Sequence, residues 1–152
     1  MKVLIIAPYP PGKAPNQRFR FEQYLDLLSQ KGIEFSYEPF WSLRVWDIFY
    51  QKGHFRLKFF GLLGGIVRRF GLLFSAAQYD FVFIHRECLP IGPPVLEFLI
   101  AKVLKKRIIY DFDDAIWLEN NSAVNGPIVR WFKFHGKVKR ICKMSHIVVT
   151  GN

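Results

Sequence analysis

Three carboxylates crowd into YDFDDAIW, where Asp111, Asp113 and Asp114 fall within four positions. Like charges at that spacing repel, so they persist with a cation, a basic partner or a proton-transfer task. On a strand, Asp111 and Asp113 would share one face and Asp114 the other. The D-x-D spacing suits a cation held by hard oxygen ligands. A general base that deprotonates an acceptor hydroxyl is the stronger alternative, and loop carboxylates paired with a nearby arginine are the plain one. Upstream, HRECLPIGPP sets a base, a cation and an acid side by side as His85, Arg86 and Glu87. Arg86 and Glu87 are candidate ligand contacts, whereas a histidine at a strand end is more often structural.

A further candidate is PYPPGKAPNQRFR near the start of the chain. Gly12 allows close backbone approach there, and Arg18 and Arg20 add charge. The amides that open a helix after Asn16 can meet an anion. A rigid loop with two solvated arginines is the competing reading. The loop is not a P-loop, because Gly12-Lys13 is followed by Ala14 where the phosphate cradle needs a hydroxyl. The sequence has no G-x-G-x-x-G, so the dinucleotide fingerprint is missing.

These loops need strands to carry them. KVLIIA (Lys2 to Ala7) is a short apolar run of the kind that forms a buried parallel strand. A helix is expected from Gln17 to Lys31, with Asn16 as N-cap and Gly32 as the stop. IEFSYEPF alternates as a second strand, and Trp41 to Ala77 reads as helical, basic and aromatic. FVFIH (Phe81 to His85) is a third strand and VLEFLIAKVLKK a helix. RIIYDF is a fourth strand, a basic helix runs from Ile128 to about Lys143, and HIVVT is a fifth strand. Short apolar strands alternating with helices predict an α/β fold: a Rossmann-like, doubly wound, mostly parallel sheet. Each candidate loop then leaves the carboxyl end of a strand, where such sheets bind ligands.

With 152 residues, half of them apolar, the chain is long enough for one cored domain. The sixteen Phe and four Trp imply either a Phe-rich core or surface turned to a lipid or a second domain. A net charge of +10 implies an anionic partner: phospholipid, nucleic acid or a phosphorylated ligand. Cys88 and Cys142 lie far apart, with no C-x-x-C and no leader-like start, which points to a reducing, cytoplasmic setting. The apolar run from Phe59 to Val67 is too short to span a bilayer.

HFRLKFFGLLGGIVRRFGLLFSAA sets Arg56, Lys58, Arg68 and Arg69 beside Phe59, Phe60 and other apolar residues. Cations beside an apolar face describe a helix that lies on an anionic membrane. Arg130, Lys133, Lys137 and Arg140 would share a face of the later helix, with Trp131 and Phe132 beside them. A solvated basic face is the competing reading. No recognition helix, RNP-like strand or zinc pair supports a nucleic-acid surface, so no nucleic-acid partner is expected.

The order of these segments resembles the N-terminal domain of glycosyltransferase family 4, of the GT-B class. The resemblance is carried by the opening strand with its proline/glycine loop and by NQRFRFEQYLDLLSQKGIEF. YDFVFIHRECLPIGPP and RIIYDFDDAIW carry it further, and it is weakest from Trp41 to Ala77. It implies metal-independent, retaining transfer of a sugar from a nucleotide-sugar donor, which is a substrate, so no cofactor is expected. The acceptor would be a glycan or lipid-linked, as in polysaccharide biosynthesis, held by this domain at the inner face of the membrane. By position, Gly12 would match the loop that approaches the donor phosphates, joined by Arg18 and Arg20. Asp113 falls where many relatives place a histidine near the acceptor hydroxyl, so Asp113 and Asp114 are the candidate catalytic residues. The family's D-x-D-free chemistry also argues against a metal at DFDD. The paired glutamates of the donor site belong to a C-terminal domain. The expectation is therefore one truncated acceptor-side domain over 1–152, inactive without a C-terminal domain or partner chain. The alternative is a non-catalytic peripheral membrane or partner-binding domain.

Overall fold

The computed structural model of the chain describes residues 1–113 and 136–151. Asp114, Arg130, Trp131, Phe132 and Lys133 lie outside the described residues. The expected α/β architecture is present as a five-stranded, all-parallel sheet with helices, compatible with a Rossmann-like fold. Its strands are β1 (Lys2–Ala7), β2 (Glu34–Pro39), β3 (Phe81–His85), β4 (Arg107–Phe112) and β5 (Ile147–Thr150). They lie in the order β2-β1-β3-β4-β5. Leu4, Ile5, Ile6 and Ala7 are almost wholly buried, as an unbroken apolar run requires when both faces of its strand are covered.

Alternation along the strands divides the core in two. Leu4, Ile6, Val82, Ile84, Ile108 and Tyr110 point to the larger cluster. That cluster is roofed by α4 (Phe55–Ala76), α5 (Val95–Phe98) and α6 (Lys137–Met144), through Ala76, Leu96 and Ile141. Val3, Ile5 and Ala7 point to the smaller cluster, where Phe21 and Leu25 cover them. A short helix, α3 (Leu43–Ile48), precedes α4, and Ser42 caps it by accepting from the Val45 amide.

Two helices depart from expectation. The segment from Gln17 to Lys31 is not continuous. It forms α1 (Pro15–Arg20), a 3-10 turn (Glu22–Tyr24) and α2 (Leu25–Gln30). The break falls at Phe21, whose backbone leaves the helical region (φ −144°, ψ −32°) while its ring packs on Tyr37, Phe83 and His85. Core burial of one aromatic ring outweighs helix continuity here. Asn16 is not the N-cap. Ala14 holds that place and Pro15 takes the first turn, where a missing N–H costs nothing. After α5 the chain continues as a π-helical turn (Leu99–Val103), with the Leu104 amide bonding to the Leu99 carbonyl.

Helix α4 is much longer than its apolar centre suggested. At 22 residues it is long and apolar enough to cross a membrane by length and composition. One side is nonetheless docked on the domain. Gly61 and Gly65 have no side chains to hold α4 off, and a Cβ on Gly65 would sit 2.7 Å from the Phe40 ring. Arg69, expected on the membrane-facing surface, is instead 2% exposed. Its guanidinium donates to the carbonyls of Ala7 (2.7 Å), Glu38 (2.8 Å) and Cys88 (3.1 Å). It thereby ties together the ends of β1 and β2 and the loop after β3. Burial lowers its pKa to about 10. Lys137 is corrected in the same way. It is buried, donates to the Leu89 carbonyl and pairs with Glu87 at 3.0 Å.

Candidate functional site

Because every strand is parallel, all five carboxyl ends lie along one edge of the sheet. The chain order reverses between β1 and β3, the place where open α/β sheets form a ligand crevice. The parallel register sets His85, the last residue of β3, beside Asp111 of β4. His85 Nδ1 lies 2.7 Å from Asp111 Oδ2, and both residues are buried. Arg20, at the end of α1, closes on the same carboxylate with Nε 3.0 Å from both oxygens and Nη2 2.5 Å from Oδ1. With Nδ1–H donating to Asp111, His85 Nε2 is left to accept from the Asn16 side-chain Nδ2 at 3.4 Å. Burial works to raise the Asp111 pKa, but the hydrogen bonds from His85 and Arg20 outweigh it and hold the carboxyl below its usual value.

This network reassigns two residues. Arg20 spends its Nε and Nη2 on Asp111, so its first task is to fasten α1 to β4. Asp111 is the carboxylate it neutralises, which realises the arginine-paired reading for one of the three acids. Arg18 stays outside the network, exposed and stacked over Phe19 at 5.0 Å.

The loop after β1 is organised around a residue that the sequence did not advertise. Gln17 is fully buried. Its Oε1 accepts from the Tyr9 amide, and its Nε2 donates to the Tyr9 carbonyl, Glu22 and the Tyr37 hydroxyl. Glu22 also accepts from the Gly12 amide at 2.9 Å. Gly12 has a φ of +73°, which suits glycine, but its N–H is already occupied within the protein. Gln17 lies between other polar residues of the expected helix, so nothing local marks it as an internal hub.

At the end of β3, Arg86 adopts a left-handed backbone conformation (φ +67°). Its amide donates to the Asp111 carbonyl and its carbonyl accepts from the Tyr110 hydroxyl, both at 2.8 Å. Non-glycine residues held there gather at functional turns because surrounding bonds must enforce the strain. Glu87 points the other way, to Lys137. Asp113 lies just past β4 and is half-buried, with Oδ1 shielded from solvent and without a hydrogen-bond partner among the described residues. It is close enough to Tyr9 and Arg20 to raise the pKa of both. Burial is the larger cause for Tyr9, and the hydrogen bond to Asp111 the larger cause for Arg20. The crevice thus brings together Tyr9, Arg20, Arg86, Asp111 and Asp113. Chemically, this edge offers one carboxylate oxygen without a partner among the described residues, a group able to accept a proton from a hydroxyl. Among the described residues no cluster of three His, Cys, Asp or Glu side chains could hold a metal ion.

The expected membrane-facing residues of α4 divide. Arg56, Phe59 and Phe60 are exposed and Lys58 is half-buried. Arg68 is exposed as a residue but donates to the Phe40 carbonyl at 2.6 Å. Phe60, Leu63, Val67, Phe70 and Phe74 recur at alternating spacings of three and four, and all are exposed. They form one apolar stripe opposite the docked face. Compared with known proteins, the chain matches no family model, no curated protein and no solved structure at a significant level.

Proposed function

We propose that the chain is the acceptor-side half of a doubly wound, GT-B type glycosyltransferase resembling family 4. It transfers a sugar, with retention, from a nucleotide-sugar donor to a glycan or lipid-linked acceptor at the cytoplasmic membrane surface. The observation that carries this reading is Asp113, which has a buried oxygen without a hydrogen-bond partner among the described residues, just past the carboxyl end of β4. A carboxylate so placed suits the role of positioning or deprotonating an acceptor hydroxyl. Arg18, exposed on this edge, and Arg86 are the cations proposed to approach a donor phosphate, whereas Arg20 is engaged by Asp111. The Gly12 amide would reach a phosphate only by exchanging Glu22 for it. Asp114 remains a second candidate for the acceptor carboxylate. A second domain or partner chain would complete the donor site.

The exposed stripe of α4 favours a second reading in which membrane attachment is the main task and catalysis belongs to a partner. One assay separates the two. The natural gene product, with its membranes, is supplied with radiolabelled nucleotide sugars, and label entering lipid or polysaccharide is counted. Transfer that falls about a hundredfold in Asp113→Ala, with donor affinity unchanged by titration, supports the first reading. Full transfer in that variant overturns the role of Asp113, and no transfer from any donor favours the second reading.

A further inference from the structure

We infer that α4 pairs, antiparallel, with α4 of a second copy of the chain along its exposed apolar stripe. Phe60, Leu63, Val67, Phe70 and Phe74 keep the strict three-and-four alternation of a two-helix seam, narrower than the face a helix buries on a core. No charged residue falls on that seam. Gly64 and Gly71 flank it seven residues apart, and a Cβ on either would meet nothing within 4 Å. The docked face of α4 is therefore complete without them, and both glycines open outward.

The seam is complementary to itself. A twofold axis across α4 at Val67 sets Phe60 of one copy opposite Phe74 of the other. It also sets Phe70 opposite Gly64 and Leu63 opposite Gly71. Large side chains then face gaps, as interdigitated packing requires. Charge favours the same direction. Arg56 lies four residues before Phe60 and so on the same side of α4. A parallel pair would set Arg56 against its own copy. An antiparallel pair carries it to the carboxyl end of the other helix, where the last carbonyls are partly negative.

The area suffices. Phe60, Phe70 and Phe74 are 66%, 41% and 92% exposed, equivalent to about two whole rings or about 400 Å². With Leu63 and Val67 the stripe reaches about 600 Å², the upper end of what a lone domain leaves open. Covering it on two copies buries about 1,200 Å², where stable specific interfaces begin. The flanking cations do not call for a lipid. Three of the four on α4 hold carbonyls of their own chain: Lys58 that of Gln51, Arg68 that of Phe40, and Arg69 those of Ala7, Glu38 and Cys88. A helix lying on an anionic surface would instead turn such cations toward it.

The test is sedimentation equilibrium of the chain at rising concentration, without lipid or sugar. The wild type should reach twice its own mass. Added salt should tighten pairing, because it screens the +10 of each copy and leaves an apolar seam intact. Val67 is largely exposed, so Val67→Lys and Val67→Glu should both fold, which circular dichroism verifies. Each alone sets like charges face to face at the axis and should weaken pairing at least about a hundredfold. An equimolar mixture of the two should pair again, a rescue that neither a lipid surface nor a second domain predicts. Phe74→Ser, which removes an almost wholly exposed ring, should weaken pairing in the same direction. A wild type that stays single at high concentration overturns the pairing, and its binding to vesicles would then give the stripe to lipid. Pairing unchanged in both Val67 variants, or no rescue in their mixture, overturns the seam. None of these outcomes touches the role of Asp113 in transfer.

Discussion

The guanidinium of Arg20 and the carboxylate of Asp111 meet at 2.5 Å across 91 positions of chain, and the same carboxylate holds His85. Helix α1 and strands β3 and β4 are thereby locked to one buried charge. Asp111 is nearly solvent-free, whereas the Arg20 side chain keeps 20% exposure. Removing either partner strands the other, and the cost is steeper for a charge left in the interior.

Asp111→Ala should therefore cost about 3 kcal/mol of unfolding free energy, and Arg20→Ala rather less because its far end reaches solvent. In urea titrations the double variant should lose clearly less than the sum of the two singles, the signature of residues that act as a unit. Strict additivity would show that the close contact contributes nothing to stability.

Stability should respond to pH through two carboxyls of opposite sign. Asp111 is shifted down, because hydrogen bonds from His85 and Arg20 outweigh burial. Its contribution is present above the ordinary value of 3.8 and is lost as the pH falls through the folded value. Glu97 is shifted up by burial, which the Lys137 charge only partly offsets. One of its oxygens has no hydrogen-bond partner among the described residues, while the other accepts from the Cys88 amide. Its contribution is complete below 4.5 and is lost as the pH rises through the folded value. Urea midpoints measured from pH 3 to pH 8 should show Asp111→Asn flattening the acid limb and Glu97→Gln flattening the decline above it. A Glu97→Gln profile parallel to the wild type across that range would remove Glu97 from the account.

The docking of α4 predicts contrasting effects of the same substitution at adjacent glycines. An alanine at Gly65 would drive its Cβ to 2.7 Å from the buried Phe40 ring, which has little room to retreat. Gly65→Ala should destabilise by about 1 to 3 kcal/mol. At Gly64 a Cβ meets nothing within 4 Å, so Gly64→Ala should stabilise by about 1 kcal/mol through helix propensity. Thermal melts of the two variants would reverse this order only if α4 packed on a different face.

Much of the scaffold was legible because buried parallel strands are short apolar runs. FVFIH and RIIYDF became β3 and β4 with the same ends, and KVLIIA became β1. Helix α6 likewise follows the later part of the expected basic helix. Local pattern failed at Phe21, because helical periodicity does not reveal a ring that must leave the helix to reach Phe83. It failed again at Arg69 and Lys137, where charge suggested the surface but backbone carbonyls supplied the missing solvation in the interior.

The sequence by itself determined the alternating α/β order, the placement of unusual residues at strand ends and the basic, aromatic character of α4. Those properties depend on residue type and short-range period, which the chain carries without folding. Only the tertiary structure decided that Arg20 clamps Asp111, that Gln17 organises the loop after β1 and that Asp113 buries an oxygen without a partner among the described residues. Each of these depends on strand register and on which helix covers which face, and both are set by packing between segments far apart in the chain.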